Sequence, residues 1–141
     1  MNIRCLAPVM HPDGRVTPVS AFGGIDRHEH LRIWDGVTAQ AIEGDRTTLA
    51  IVDLEPNSTV PEHHHDNEQL GILVRGTMRF RVAEETRDLV PGDTWRILSH
   101  TPHEVSAGPE GALAVESFTP ARADWAGLER LADHPAPRLA P

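Results

Sequence analysis

Short stretches of alternating apolar and polar residues, rich in β-branched side chains, occupy most of the chain from Leu31 onwards. Turn sequences such as Asp-Gly, Glu-Gly-Asp and Pro-Gly-Asp separate them. Alternation is typical of strands, and strands repeated every roughly 8–12 residues are typical of sandwiches and barrels. The pattern therefore predicts an all-β fold with strands in 31–34, 37–43, 47–54, 72–74, 78–82, 85–93, 95–98, 103–107 and 112–118.

The two ends of the chain lack this pattern. Residues 1–30 carry turn signals and predict an extended, loosely held arm that packs on a neighbouring subunit. After Pro120, Asp124 is placed to cap a short helix whose apolar face carries Trp125, Leu128 and Leu131. We therefore expect an arm over 1–30, a β-barrel over 31–120, and a helix with a disordered or draped tail over 121–141.

Composition narrows the class of protein. At 141 residues the chain forms one domain with a buried core, and its net charge of -8 argues against nucleic acid or an anionic membrane as the main partner. No apolar run approaches the roughly 18 residues of a membrane span, and no signal pattern is present, so we expect a cytoplasmic protein.

Cys5 is the only cysteine, which excludes an intrachain disulfide and a cysteine-based zinc site. The lack of lysine and tyrosine excludes Schiff-base chemistry and a phenolic acid or base.

The candidate chemistry begins with a histidine triplet. His63 and His65 share one face of a strand, His64 points the other way, and Gln69 and Gly76 complete the pattern H-x-H-x3-Q-x6-G. Neutral imidazole is a good ligand for first-row divalent metals. A solvated histidine loop is the alternative for the triplet, and Glu68 is the alternative to Gln69 as the third ligand.

A further ligand is expected from the strand that follows Pro91-Gly92-Asp93, which leads to His103. His63, His65, Gln69 and His103 would bind one divalent metal ion, with Ni, Zn, Fe, Mn and Co all open. Because all four ligands are neutral, the metal keeps its full charge, which favours a Lewis-acid role. We interpret His64 and His100 as rim residues, and the second H-x-H, His28 and His30, as an exposed loop.

These two motifs resemble the paired motifs of the cupin superfamily, over roughly residues 31–120. The resemblance implies a single cupin double-stranded β-helix, a jelly-roll barrel that is often dimeric. The chain departs from the family pattern at Gln69, where Glu is usual, and near His103, where Ser99 or His100 replaces a usual glycine.

Residues 116–125, Glu-Ser-Phe-Thr-Pro-Ala-Arg-Ala-Asp-Trp, resemble a segment of KdgF-type pectin-degradation cupins, which ketonise 4,5-unsaturated uronates. The resemblance implies that Glu116, Phe118 and Arg122 line the pocket. In that reading Glu116 moves a proton as general acid or base, Phe118 contacts substrate and Arg122 binds a substrate carboxylate. A sheet-edge charge is the alternative for Glu116, and a structural salt bridge is the alternative for Arg122.

We therefore expect a metal-dependent isomerase or hydratase-like enzyme, acting as a homodimer on a small oxygenated and carboxylated substrate. Uronate ketonisation is its most specific form. A polyketide-type cyclase or dehydratase, an Fe(II) dioxygenase and a non-catalytic small-molecule-binding cupin are the alternatives.

Overall fold

The computed structural model describes residues 9–10, 12, 16–17, 20–132, 134–135 and 137, so parts of the predicted arm and tail lie outside the described residues. Within these residues no helix is long and apolar enough to cross a membrane. Eleven strands run through this part of the chain: β1 Val9–Met10, β2 Val16–Thr17, β3 His30–Trp34, β4 Val37–Glu43, β5 Thr48–Leu54, β6 Thr59–His63, β7 Glu68–Val82, β8 Glu85–Leu89, β9 Thr94–Ile97, β10 His103–Thr119 and β11 Arg130–Leu131.

Two long, bent strands, β7 and β10, connect two antiparallel layers. The carboxyl-terminal half of β10 pairs with β5 and with the first half of β7, and the first layer has the order β11-β3-β4-β5-β10-β7-β9. The amino-terminal half of β10 pairs with β6 and with the second half of β7, whose other neighbour is β8. Layers joined in this way form a jelly roll, so the predicted all-β fold is confirmed.

Glycines allow both long strands to turn from one layer into the other. Gly76 has φ of 79° and Gly111 has φ of 77°, in the region that L-residues with a Cβ rarely adopt. A Cβ on Gly76 would overlap the carbonyl oxygen of Gly111. The glycine at the end of the H-x-H-x3-Q-x6-G motif is therefore needed for the close approach of two backbones at a corner of the barrel.

Inward-facing apolar side chains of the two layers form one core, and β7 shows the alternation that produces it. Leu73, Met78 and Phe80 are buried, whereas Leu70, Ile72 and Val74 are partly exposed on the outer face. The predicted strands 103–107 and 112–118 are halves of the single strand β10, which is interrupted by a register shift between Ala107 and Ala112.

The carboxyl-terminal helix is shorter than predicted. It is a 3-10 helix over Ala123–Gly127, and the chain is extended again by Arg130–Leu131, where β11 pairs with β3. The prediction that Asp124 caps the helix is wrong, because the N-cap residue is Arg122 and Asp124 binds the guanidinium of Arg122 instead. Trp125 is nevertheless buried in the core, as the apolar spacing predicted.

The interpretation of His28 and His30 as an exposed loop is also wrong. His30 is buried within β3, and His28 is half-buried with its Nδ1 bonded to the carbonyl oxygen of Ala41. The physical reason is that the segment before β3 folds over the outer face of β4. There the side-chain amide of Gln40 donates to the carbonyl oxygens of Ile25 and His28.

Candidate metal centre

Three histidines meet at the open end of the barrel. His63 ends β6 and His103 begins β10, and the two residues are direct partners in the ladder between these strands. His65 follows in the loop before β7, and the candidate ligand atoms of the three imidazoles lie within 4.8 Å of one another. The fold therefore brings His103 to His63 and His65, which are neighbours in the chain.

Backbone carbonyl groups fix the orientation of all three rings. The Nδ1 atoms of His63, His65 and His103 lie 2.9, 2.9 and 2.8 Å from the carbonyl oxygens of Pro61, Asn67 and Thr101. A carbonyl oxygen only accepts hydrogen bonds, so each Nδ1 carries the proton and each neutral ring keeps a lone pair on Nε2. Nε2 of His103 is buried and has no hydrogen-bond partner among the described residues.

Gln69 adds an oxygen to this group of nitrogens. Its Nε2 donates to Glu116 Oε1 at 2.9 Å, which directs its Oε1 towards His65 Nε2 at 3.1 Å. Both facing atoms are then acceptors, an arrangement that a shared cation between them stabilises. Glu68, the alternative ligand, is exposed. The site therefore fits a divalent ion on neutral nitrogen and oxygen ligands.

The protonation state of the imidazoles also suits a metal. Burial lowers the pKa of His63, His65 and His103, that of His103 to about 4. The positive charge of Arg122 lowers the pKa of His63 and His65 further. All three rings are therefore neutral near pH 7, as metal ligands must be.

Glu116 lies behind Gln69, on the neighbouring strand of the first layer. Burial raises the pKa of its carboxyl to about 7, although hydrogen bonds from Gln69 and Trp95 oppose this shift. Trp95 Nε1 donates to Oε1 at 3.0 Å, the same oxygen that Gln69 contacts. Gly71 makes room for this indole, because a Cβ at that position would overlap the Trp95 ring. Among the described hydrogen bonds none involves Oε2, which leaves that oxygen available to a ligand.

Arg122 is held on the cavity wall by three side chains. Its guanidinium carbon lies 5.0 Å from the ring centroid of Phe118 and 4.8 Å from that of Trp125. Nε and Nη2 donate to the two carboxylate oxygens of Asp124 at 3.0 and 2.8 Å. Arg122 therefore forms the structural salt bridge that was the alternative to a substrate-binding role. Within the described residues its Nη1 atom makes no hydrogen bond.

A cavity of about 220 Å³ joins these groups, and its wall includes His63, Gln69, His103, Glu116, Phe118 and Arg122. It is smaller than the roughly 300–1,000 Å³ of most small-molecule sites. The rim histidines are outside it: His64 and His100 are exposed, with ring centroids 5.8 Å apart.

Known proteins share this fold. A family model described as Cupin domain matches residues 50–116. An RmlC-like cupin from Shewanella frigidimarina superposes with a TM-score of 0.70 at 21% identity, covering 76% of this chain and 96% of that one. The chain therefore has the cupin fold.

The chain is also similar to KdgF proteins. The pectin degradation protein KdgF of Dickeya dadantii is 26% identical over 93 residues, which cover 64% of this chain and 84% of that protein. The structure of KdgF from Halomonas sp. superposes with a TM-score of 0.68 at 23% identity, covering 75% of this chain and 98% of that one.

The loop before His103 keeps its backbone conformation although His100 stands where the cupin pattern has a glycine. His100 has φ of 61°, in the left-handed region where a glycine is usual, and its backbone N–H donates to the carbonyl oxygen of His65 at 2.7 Å. Histidine is among the residues that tolerate this conformation best. The loop therefore keeps a glycine-like backbone and connects the two histidine motifs directly.

The sequence analysis did not predict that two tryptophans belong to this site. Trp95 bonds Glu116, and Trp34 packs against His63 with ring centroids 5.4 Å apart. The pairing of Gly71 with Trp95 across the β7–β9 ladder could have indicated the inward position of Trp95, because a glycine without a side chain faces a large indole. The sequence carries no comparable signal for Trp34.

Proposed function

We propose that this protein is a metal-dependent isomerase or hydratase-like enzyme acting on a small, oxygenated and carboxylated molecule. Ketonisation of 4,5-unsaturated uronates is the most specific form of the proposal. The similarity to a protein named for pectin degradation supports that form. The match of Glu116, Phe118 and Arg122 to the pocket segment of KdgF-type cupins supports it as well.

The observation that carries the proposal is the position of Glu116. Its carboxyl group is buried on the cavity wall, one hydrogen bond away from the amide of Gln69. A general acid or base must lie within hydrogen-bond reach of the proton that it transfers, directly or through one water. A carboxylate with a free oxygen beside a candidate metal centre meets this requirement.

Ketonisation is an isomerisation driven by proton transfers, which suits these residues. The anomeric hydroxyl of the cyclic uronate loses a proton, the bond from C1 to the ring oxygen breaks, and C1 becomes an aldehyde. The resulting C5 enolate takes a proton at C4 and becomes a ketone, so no electrons enter or leave the substrate. A divalent ion on the three histidines and Gln69 would supply Lewis acidity to a substrate oxygen. Glu116 Oε2 would carry the proton, and Nη1 of Arg122 would bind the carboxylate from the one guanidinium nitrogen that Asp124 does not engage.

The test is loss of the absorbance of a 4,5-unsaturated uronate in the presence of metal-loaded protein. We expect acceleration over the spontaneous reaction, abolished by His103→Ala and lowered about 100-fold or more by Glu116→Gln, which keeps the shape but not the transferable proton.

His100→Ala is the matched control, because it removes an exposed imidazole three positions away. It should retain full activity. Loss of absorbance at the spontaneous rate with metal-loaded protein would exclude the uronate form of the proposal.

The alternatives receive different support. The small cavity, with Arg122 on its wall, gives little support to a polyketide cyclase, for which a wide apolar cavity is expected. Metal analysis with oxygen-uptake measurements distinguishes an Fe(II) dioxygenase. An exchangeable water on the metal distinguishes an open, reactive site from a closed structural one.

A further inference from the structure

A β-bulge lies beside the candidate metal centre. In the ladder between β3 and β4, Leu31 pairs with Ala39 and Arg32 with Thr38, but Trp34 pairs with Val37, so Ile33 is an extra residue. A regular strand would send Ile33 and Trp34 to opposite faces. With the bulge, both side chains line the cavity. Bulges often occur next to active sites, where they redirect a side chain.

The side chain of Trp34 lies next to His63, one of the candidate metal ligands. The indole of Trp34 and the imidazole of His63 have centroids 5.4 Å apart and planes inclined by 56°. Trp34 and Ile33 are only partly buried, although both pack against the core. Apolar surface of this kind favours binding in proportion to the area that a ligand covers. Trp34 is therefore an apolar contact surface beside the point where a substrate oxygen would meet the metal.

Several polar groups of the cavity are engaged with one another, and the atoms that lack a partner among the described residues include those that the proposed function assigns to the metal, the transferred proton and the carboxylate. The amide of Gln69 bonds Glu116, and the guanidinium of Arg122 is paired with Asp124. The remainder of the wall near Trp34 is apolar, with Ile33 and Val37 among its residues. A hydroxyl group placed against such a wall loses its hydrogen bonds to water without replacement, which weakens binding.

We propose that the cavity selects a small carboxylate whose end away from the metal is an alkyl or aryl group rather than a hydroxylated chain, and that Trp34, redirected by the bulge, is the residue that contacts this end. The inference rests on the proposed function for the carboxylate and the metal-facing oxygen. It favours the broader form of the proposed function, a small carboxylated substrate, over its uronate form.

The test compares two 2-hydroxy acids of equal chain length, 2-hydroxyhexanoate and gluconate, by calorimetric titration of the zinc-loaded protein. Both offer the same carboxylate and hydroxyl to a metal, and they differ in the hydroxyls along the chain. We expect 2-hydroxyhexanoate to bind at least about tenfold more tightly. Trp34→Ala should reduce this preference to about threefold or less, and Trp34→Phe should keep most of it.

Phe22→Ala is the control, because Phe22 is an aromatic residue that is 89% exposed and does not line this cavity. It should leave the preference unchanged. Equal or tighter binding of gluconate, an equal loss for both ligands in Trp34→Ala, or no binding of either ligand by zinc-loaded protein would each overturn the proposal.

The same titration separates this proposal from the proposed function, since it requires no turnover. A preference for 2-hydroxyhexanoate in a protein that fails to ketonise the uronate would leave the ligand class standing. Uronate ketonisation without that preference would leave the reaction standing and remove the ligand class.

Discussion

The side-chain amide of Gln69 faces a candidate metal ligand, His65, with its oxygen and a carboxylate, Glu116, with its nitrogen. Its Oε1 lies 3.1 Å from His65 Nε2, and its Nε2 lies 2.9 Å from Glu116 Oε1. Because an amide nitrogen only donates, this geometry leaves the oxygen for the metal. A carboxylate at this position would place two acidic groups against each other, and two such groups cannot both ionise at close range.

We therefore expect Gln69→Glu to keep the metal and lose turnover. A carboxylate ligand would reduce the charge on the metal, and Glu116 would share a proton with the new group, so turnover should fall about tenfold or more. Metal content and turnover measured on the same preparation test this. Glu68→Gln, which changes the exposed neighbour, should alter neither quantity. Unchanged turnover, or loss of metal, would contradict the expected role of the amide.

Two buried groups of the centre should affect the stability of the metal-free protein in opposite directions as the pH falls. The pKa of His103 is lowered from 6.5 to about 4, so its contribution to stability is complete above pH 6.5 and is lost as the pH falls below that value. The pKa of Glu116 is raised from 4.5 to about 7, so its contribution is complete below pH 4.5 and is lost as the pH rises through about 7.

Denaturant unfolding of metal-free protein between pH 7 and 4.5 tests these signs. Relative to the parent, Glu116→Gln should lose stability more steeply as the pH falls, by up to about 1.4 kcal/mol per pH unit. His103→Leu should lose it less steeply, and His100→Ala should follow the parent. Parallel curves for all four proteins would show that neither buried group titrates as described.

At the scale of elements, the corner between the two layers depends on Gly76. Gly92 is a matched comparison, because it has φ of 96° but would place a Cβ in open space, whereas a Cβ on Gly76 would overlap Gly111. Gly92→Ala should therefore cost only the strain of a left-handed alanine, about 1 kcal/mol. Gly76→Ala adds overpacking against the facing backbone and should cost about 3 kcal/mol or prevent folding. Equal unfolding free energies for the two variants would show that the corner tolerates a Cβ.

The sequence predicted the elements and ligands that depend on local spacing. His63, His65 and Gln69 lie within seven residues, so short spacing suffices to group them. The prediction that His63 and His65 share one strand is wrong, because the strand ends at His63 and His65 lies in the following loop. Trp34 was missed because a bulge is a property of the register between two strands and leaves no pattern in either one. Two strands were predicted where the structure has the single strand β10. The segment between them, Gly108-Pro109-Glu110-Gly111, has the composition of a turn, but the strand continues through it.

At the scale of the whole molecule, the predicted homodimer stays a prediction, and the first layer offers a surface for it. Neighbouring strands present apolar side chains on its outer face, and Leu49, Leu70, Ile72 and Val74 are 37%, 43%, 41% and 39% exposed. A contiguous apolar face of this kind commonly marks a protein interface, and a two-fold dimer covers the same face on both copies.

We expect Ile72→Glu to shift the protein from dimer to monomer, because a charge at the centre of a self-facing surface meets its own copy. Light scattering coupled to size-exclusion chromatography measures the mass directly. Thr86→Glu adds the same charge to β8, an exposed strand of the other layer, and should leave the mass unchanged. A monomeric parent protein would exclude the dimer.

The two halves of β10 also have a consequence for how the chain tolerates changes in length. His103 lies at one end, Glu116 and Phe118 lie at the other, and the irregular segment between Ala107 and Ala112 separates them. A residue inserted into that segment leaves the alternation of both halves intact, whereas one inserted between Ala112 and Glu116 sends the carboxylate and the ring out of the cavity. Natural variation in length is therefore expected to accumulate at this corner and to be absent from the stretch leading to Glu116.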